Sequence, residues 1–259
     1  MDLGISGRTA IVCGGSKGLG RAAATALAKE GVHVLMVART AKALERAATE
    51  VSEAAGKAVD SLAADVASEP GRAEILGRCP APDILINNAG GPPLGDFRQF
   101  SRDDWLQAIE TNMLSAIELI RATVDSMIER RFGRVICITS HMVKSPLGIL
   151  SLSNGARGGL TGFTGGIARD LAQYNVTVNN VLPGQFDTDR LKANQRRFAE
   201  ARDVEFDTVR EEFRNQIPAR RFGQPPEFGA VCAFLCSQHA SFITGQNILV
   251  DGGQYPGLL

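Results

Sequence analysis

Residues 10–20 read Ala-Ile-Val-Cys-Gly-Gly-Ser-Lys-Gly-Leu-Gly, and this stretch decides the fold. Residues 10–13 have the apolar character of a buried strand, the glycines predict a loop, and the Ala-rich stretch after Gly20 predicts a helix. Glycines between a strand and a helix are typical of dinucleotide binding, because they let the backbone turn tightly and approach a pyrophosphate. The spacing Gly14-x3-Gly18-x-Gly20 also fits a plain glycine turn, and the flanking sequence must decide between the two.

Outside this stretch, apolar segments of strand length alternate with segments of helical length. Strands are predicted over residues 9–13, 32–37, 57–62, 84–87, 135–140, 177–182 and 247–250, and helices over residues 18–30, 41–55, 69–77, 103–129, 152–172 and 226–235. This alternation implies parallel β-α-β units, and strands that are apolar throughout fit a sheet covered by helices on both faces. We therefore expect an α/β fold with one Rossmann-type, doubly wound parallel sheet of about seven strands, in a single domain over residues 1–259.

The composition narrows the classes of function. The 28 basic and 28 acidic residues balance, so the charge favours neither nucleic acid nor an anionic membrane surface as a partner. No apolar run reaches the roughly 18 residues of a membrane span, and the N-terminus has no secretory signal pattern. The five cysteines form no CxxC pair and are interpreted as core residues rather than metal ligands. We expect a cytoplasmic, metal-free protein that acts on a small molecule.

The residues after the second predicted strand bear on the choice of dinucleotide. An acidic residue that binds the ribose 2′-hydroxyl is usual at this position, but this chain has Ala38 followed by Arg39. Arg39 and Lys17 together supply positive charge suited to a 2′-phosphate. The alternative is that Arg39 is an ordinary solvated charge in a loop. We expect NADP(H) rather than NAD(H).

The next two strand ends carry further residues suited to a cofactor. Asp65 and Val66 follow the third predicted strand, where an aspartate can accept a hydrogen bond from the adenine amino group. Asn88, Ala89 and Gly90 end the fourth strand with amide and small side chains. Ligands of open α/β sheets bind outside the carboxyl ends of the strands, so all of these residues are candidate contacts.

Taken in order, these motifs resemble those of the short-chain dehydrogenase/reductase (SDR) family along nearly the whole chain. Residues 13–20 resemble the family's Thr-Gly-x3-Gly-x-Gly loop, with Cys in place of Thr and with Ser16, Lys17 and Leu19 between the glycines. Residues 87–90 are the family's Asn-Asn-Ala-Gly motif unchanged, and residues 250–253 match its Val-Asp-Gly-Gly segment. The resemblance implies that Asn112 and Ser140 belong to the catalytic site. It also implies that Pro183, Gly184 and Thr188 hold the nicotinamide carboxamide.

The chain departs from this family at the catalytic Tyr-x3-Lys. Ser153 stands at the tyrosine position, 13 residues after Ser140, and Arg157 stands at the lysine position. In the family the tyrosine exchanges the substrate proton, while the lysine lowers the pKa of that tyrosine and holds the nicotinamide ribose. Arg157 keeps the positive charge for the ribose but cannot readily cycle a proton, and serine is a much weaker acid than tyrosine. We therefore expect that a group other than the family's tyrosine donates the proton in this chain.

His141 is the first candidate for that donor. It directly follows Ser140, and the ordinary pKa of histidine suits proton transfer near neutrality. The dienoyl-CoA reductase branch of the family also has serine at the tyrosine position and takes its donor from this loop, although it keeps its lysine. Lys144 is a weaker candidate, and Tyr255 becomes one if the tail folds back. The alternative is that His141 is merely a surface residue.

Two other stretches stand out. Residues 155–166 carry six glycines, so this stretch is either not helical or a helix in very close contact with another backbone, and we favour the helix. The resemblance implies a four-helix interface and a homo-oligomer, dimer or tetramer. Residues 186–221 are densely charged, with Arg190, Lys192, Arg196, Arg197 and Arg202 among them. By position they are expected to form a substrate lid. Their arginines fit an acidic substrate or a CoA phosphate, but equally a pair of solvated amphipathic helices.

Two functional hypotheses remain open. The first is an NADP(H)-dependent oxidoreductase that reduces a ketone or a conjugated enoyl substrate such as an acyl-CoA, in the manner of a 3-oxoacyl reductase, with His141 or water delivering the proton. The second is a catalytically impaired cofactor-binding protein that acts as a sensor or a partner subunit. The replaced tyrosine and lysine favour the second hypothesis, whereas Ser140, Asn112 and Thr188 favour the first.

Overall fold

The computed structural model describes residues 1–258, and its centre is a seven-stranded sheet in the order β3-β2-β1-β4-β5-β6-β7. All neighbouring strands are parallel. The strands are β1 (Thr9–Cys13), β2 (His33–Ala38), β3 (Asp60–Ala63), β4 (Ile84–Asn87), β5 (Gly133–Ile138), β6 (Val176–Pro183) and β7 (Asn247–Val250). The predicted Rossmann-type fold is confirmed. The strand order reverses between β1 and β4, and this is the place where such sheets bind their ligands.

Helices cover both faces of the sheet. They are α1 (Gly18–Lys29), α2 (Ala41–Ala55), α3 (Glu69–Arg78), α4 (Arg102–Ile109), α5 (Ser115–Glu129), α6 (Ser151–Leu171), α7 (Asp189–Arg202), α8 (Phe206–Asn215) and α9 (Pro225–Cys236). Within residues 1–258, no helix combines the length and the apolar character needed to cross a bilayer.

Two apolar layers hold these helices on the sheet. Val12 and Met36 face one layer, which includes residues of α1, α2 and α9. Ile11 and Leu35 face the other layer, which includes residues of α3, α5 and α6. Successive strand residues point to opposite faces of a sheet, so a strand covered on both faces is apolar at every position. This is why the central strands read as continuous apolar runs.

The structure corrects two sequence-based boundaries. The third strand begins at Asp60 rather than at residue 57, and the helix predicted over residues 103–129 is not continuous. Its α4 part ends at Ile109, a π-helical turn covers Glu110–Leu114, and α5 follows. A π-turn adds a residue to the helical repeat and cannot be detected from a hydrophobic period of 3.6.

The glycines of α6 divide into two groups. A Cβ atom added at Gly155 would lie 2.8 Å from the Trp105 ring, and one at Gly159 would lie 2.8 Å from the sulfur of Met113. These two glycines therefore admit α4 and the π-turn close to α6. A Cβ at Gly158, Gly162, Gly165 or Gly166 would meet nothing within 4 Å. Packing within the chain thus accounts for only part of the glycine run.

Candidate functional site

The glycine loop after β1 is shaped by close contacts at the switch point. Gly14 has a φ of +62°, and a Cβ there would lie 2.4 Å from Nδ2 of Asn88. A Cβ at Gly20 would lie 2.3 Å from the carbonyl oxygen of Gly14. Glycine at both positions lets α1 and the end of β4 approach the loop. The plain-turn alternative does not account for this packing against β4.

The N-terminus of α1 and the end of β2 lie next to one another. The backbone N–H of Gly15 donates to the carbonyl of Val37 across 3.0 Å. The first turn of α1 contains no acidic residue, which leaves its N–H groups and partial positive charge suited to an anion. Lys17 and Arg39 are both exposed. Neither has a carboxylate within 4.0 Å among residues 1–258.

The ends of β3 and β4 complete this side of the site. Asp65 is half-buried, and one of its carboxylate oxygens accepts from the N–H of Ala67 at 3.0 Å, which leaves its other oxygen available. Val66, Asn88 and Ala89 line a small cavity at the sheet edge. Gly90 lies in the loop after β4, Ser16 lies in the glycine loop after β1, and Leu19 lies in the first turn of α1. The structure therefore gathers the residues that the sequence predicted for the cofactor.

Asn112 reaches the same cavity from the π-turn between α4 and α5. It is 5% exposed, and its Oδ1 atom has no hydrogen-bond partner among the described residues. A buried acceptor without a partner costs about 1–3 kcal/mol. The π-turn, a feature found often at functional sites, thus places an amide with a buried, unpartnered oxygen in the wall of the cavity.

Ser140 and His141 lie just beyond β5. The Ser140 hydroxyl accepts from the N–H of Met142 at 3.2 Å and caps a short 3-10 helix, His141–Val143. His141 is only 7% exposed, so the alternative that it is a surface residue is wrong. Burial lowers the pKa of His141, while the carbonyl of Pro183 and the charge of Asp251 oppose that shift.

The hydrogen bond of His141 sets its tautomer. Its Nδ1 lies 3.0 Å from the carbonyl oxygen of Pro183, and a carbonyl only accepts, so Nδ1 carries the proton in that bond. The Nε2 atom is buried and has no partner within residues 1–258. In the neutral ring Nε2 is a free acceptor, and in the cation it is a free donor. Sequence reasoning missed the role of the Pro183 carbonyl, because no residue pattern signals it.

Ser153 and Arg157 lie one turn apart on α6. Ser153 is half-buried, whereas the Arg157 guanidinium is buried and donates to the carbonyls of Ile138 at 2.8 Å and Ala89 at 3.5 Å. Burial lowers the pKa of Arg157 to about 10, and Arg190 adds to this shift. Arg157 therefore ties the end of β5 to the end of β4. That it also holds the nicotinamide ribose stays a prediction.

The end of β6 meets the glycine loop. Gly184 donates to the carbonyl of Val250 at 2.9 Å, and a Cβ at Gly184 would lie 2.6 Å from the Cβ of Asp251. The hydroxyl of Thr188 accepts from the N–H of Leu191 and caps α7. A Cβ at Gly18 would be 3.6 Å from the methyl group of Thr188. Residues 183–188 thus face the loop that begins the fold.

Two contacts at the edge of the site have little or no signal in the sequence. The tail does fold back: Tyr255 donates its N–H to Asp251 at 2.8 Å, and Nζ of Lys144 lies 5.7 Å from the centre of the Tyr255 ring. From the first turn of α7, Arg190 donates to the carbonyls of Gly91 and Pro92 in the loop after β4, at 3.3 and 3.5 Å. The only sequence signal for that bridge is a cation two residues after Thr188.

A doubly wound sheet with these residues at its carboxyl edge defines the class of dinucleotide-binding Rossmann oxidoreductases. A family model described as Enoyl-(Acyl carrier protein) reductase matches residues 14–254. The chain belongs to the short-chain dehydrogenase/reductase family.

Proteins of similar sequence or structure match this chain over nearly its full length. The 3-oxoacyl-[acyl-carrier-protein] reductase FabG of Aquifex aeolicus is 31% identical over 98% of this chain and 100% of that relative. FabG of Vibrio harveyi is 33% identical over 98% of this chain and 99% of its own. The crystal structure of L-sorbose reductase from Gluconobacter frateurii, complexed with NADPH and L-sorbose, has a TM-score of 0.94 at 30% identity and covers 100% of both chains.

Proposed function

We propose that this protein is an NADP(H)-dependent oxidoreductase that reduces the carbonyl or conjugated enoyl group of a small molecule, such as a ketone or an acyl-CoA. The observation that carries the proposal is the buried His141, which directly follows Ser140 and whose Nε2 has no partner among residues 1–258. The relatives described as 3-oxoacyl reductases and the similarity to an NADPH-bound L-sorbose reductase support the reaction class and the cofactor. When bound, the reduced nicotinamide supplies the hydride.

The residues present fit that cofactor. Exposed Lys17 and Arg39 receive the 2′-phosphate, and the acid-free N-terminus of α1 receives the diphosphate. Asp65 accepts from the adenine amino group. The remaining contacts are Gly14, Ser16, Gly18, Leu19 and Gly20 in the first loop, Val66, Asn88, Ala89 and Gly90 at the ends of β3 and β4, and Pro183, Gly184 and Thr188 at the carboxamide.

Proton delivery falls to His141 in this proposal. The Pro183 carbonyl holds Nδ1–H in place, so the cationic ring offers its second proton from Nε2 to the substrate. Ser140 and the free amide oxygen of Asn112 orient the substrate and an ordered water. Ser153 is too weak an acid for this step at neutral pH. Arg157 supplies positive charge beside the ribose.

A fluorescence titration with NADPH and with NADH tests the proposal. We expect NADPH to bind at least about tenfold more tightly, because a charge-assisted bond to the 2′-phosphate contributes about 1.5–3 kcal/mol. Ketones and enoyl-CoA esters are then screened for NADPH oxidation. Preference for NADH would contradict the cofactor assignment.

The second candidate function, a non-catalytic sensor or partner subunit, rests on Arg157, whose guanidinium donates to backbone carbonyls at the ends of β4 and β5. Tight NADPH binding without turnover of any substrate in the screen would favour it. A single measurement therefore distinguishes the two functions: the reductase oxidises the bound NADPH, and the sensor or partner subunit does not.

We further propose that the protein is a homo-oligomer, either a dimer or a tetramer. Its subunits pack against one another through the face of α6 that carries Gly158 and Gly162. Gly158 and Gly162 have open space around them, so leucine at either position fits the isolated chain. We expect Gly158→Leu and Gly162→Leu to reduce the molar mass measured by light scattering, because the side chains separate the two helices. Gly77→Leu on α3, where the space is also open, is the control. An unchanged mass in both α6 variants would contradict this interface.

A further inference from the structure

Most cations of the charged segment 186–221 have partners within that segment. Lys192 and Arg210 pair with Asp187 at 3.3 and 3.0 Å, Arg202 pairs with Glu212, and Arg214 pairs with Glu211 at 3.0 Å. Arg196 lies 5.4 Å from the centre of the Phe206 ring. Arg220 donates to the carbonyl of Asn215 at 2.8 Å, and Arg221 pairs with Glu227 of α9 at 2.6 Å. Arg190 and Arg197 differ, because among residues 1–258 neither has a carboxylate within 4.0 Å, an aromatic ring or a carbonyl of this segment as a partner. The solvated-helix interpretation thus accounts for the other seven cations of the segment and leaves these two.

Arg190 and Arg157 reach the same loop from two sides. Arg157 donates to Ala89 from α6, and Arg190 donates to Gly91 and Pro92 from the first turn of α7. The three distances are 3.5, 3.3 and 3.5 Å, which are long for a guanidinium donor. Such bonds are weak, so an incoming anion can replace those of Arg190 at little cost.

Arg197 extends this positive region along α7. It lies seven residues after Arg190, which places both on one face of the helix about two turns apart. Partial burial and the charge of Arg197 lower the pKa of Arg190, and burial and the charge of Arg190 lower the pKa of Arg157. Three cations that repel one another without an acidic partner gain stability when an anion binds between them.

We propose that Arg190 and Arg197 form an anion site on α7, beside the loop that follows β4, which receives the carboxylate or phosphate group of an anionic carbonyl substrate. The proposal rests on the proposed reductase function and adds the charge of its substrate. Arg157 connects the site to the reacting centre, because it lies one helical turn after Ser153 and contacts the end of β5 near Ser140. Lys17 and Arg39, which are assigned to the cofactor phosphate, follow β1 and β2 instead.

Calorimetric titration with acetoacetate and its neutral methyl ester tests the anion site. Both are added to protein saturated with NADP⁺, which cannot reduce them, and to protein without cofactor. We expect the wild-type complex to bind acetoacetate at least about tenfold more tightly than the ester, as one charge-assisted pair predicts. The Arg190→Gln/Arg197→Gln variant should bind the two compounds equally. Arg196→Gln, which removes one positive charge from the same helix, should keep the preference.

Three results would overturn the proposal: equal affinities in wild type, a retained preference in the double variant, or an equal loss in Arg196→Gln. The alternative is that the anion bound by these arginines is the diphosphate of the cofactor, and the affinities for NADPH and NADH test this alternative. We expect both to change less than about twofold in the double variant, because the proposal places neither arginine on the cofactor, whereas one lost charge-assisted bond would cost about tenfold. A tenfold loss for both would assign the arginines to the cofactor diphosphate. Failure of wild type to bind NADPH, with the acetoacetate preference intact in cofactor-free protein, would refute the reductase function but not the anion site.

Discussion

Replacement of His141 by alanine is expected to lower kcat for reduction by about 10²–10⁴-fold, the usual contribution of a positioned general acid. The imidazole is buried, its Nδ1 is held by the Pro183 carbonyl, and its Nε2 is free. Water remains as a weaker donor in the variant. The measurement is steady-state oxidation of NADPH with whichever ketone or enoyl substrate the screen identifies.

The pH profile separates proton donation from a structural effect. Reduction needs the protonated ring, so the wild-type rate should fall as pH rises through the pKa of His141, which burial places below the ordinary value for histidine. His141→Asn can still donate to the Pro183 carbonyl but does not titrate, and we expect a slow rate without this limb. His239→Ala, at an exposed histidine bonded to the Asp2 carbonyl, should behave as wild type. A normal rate in His141→Asn would show that His141 is not the donor, and Lys144→Ala would then test the next candidate.

The Lys17→Gln/Arg39→Gln variant is expected to raise the Kd for NADPH by about 10²-fold, since each charge-assisted bond to phosphate contributes roughly tenfold at an exposed site. The Kd for NADH should change less than about twofold, because it has no 2′-phosphate for these side chains to bind. The NADPH preference should also weaken as salt is added, since exposed charges are screened. Fluorescence titration of both cofactors measures each effect.

A matched control removes two exposed cations elsewhere. Lys29 lies at the end of α1 and Arg102 at the start of α4, and both are exposed. Lys29→Gln/Arg102→Gln lowers the net charge equally and should leave the preference for NADPH intact. An equal loss of affinity for both cofactors in the Lys17→Gln/Arg39→Gln variant would show that these residues do not read the 2′-phosphate.

The fold and the loops proposed for the cofactor can be predicted from residues that are neighbours along the chain. Buried parallel strands are continuous apolar runs, and a glycine between strand and helix marks a turn that other residues cannot make. Both are local properties, which residues 10–20 and 84–90 display without reference to distant segments.

Which catalytic candidates are buried, paired or free depends on contacts between distant segments and cannot be predicted from the sequence. The bonds of Arg190 to Gly91 and of His141 to Pro183 join residues 99 and 42 positions apart. The π-turn at Asn112 and the division of the α6 glycines also depend on neighbouring helices. Hydrophobic periodicity shows which face of an element is covered, but not which side chain lies opposite it. The state of a charged side chain depends on that neighbour, because burial and charge together set its pKa and its need for a partner.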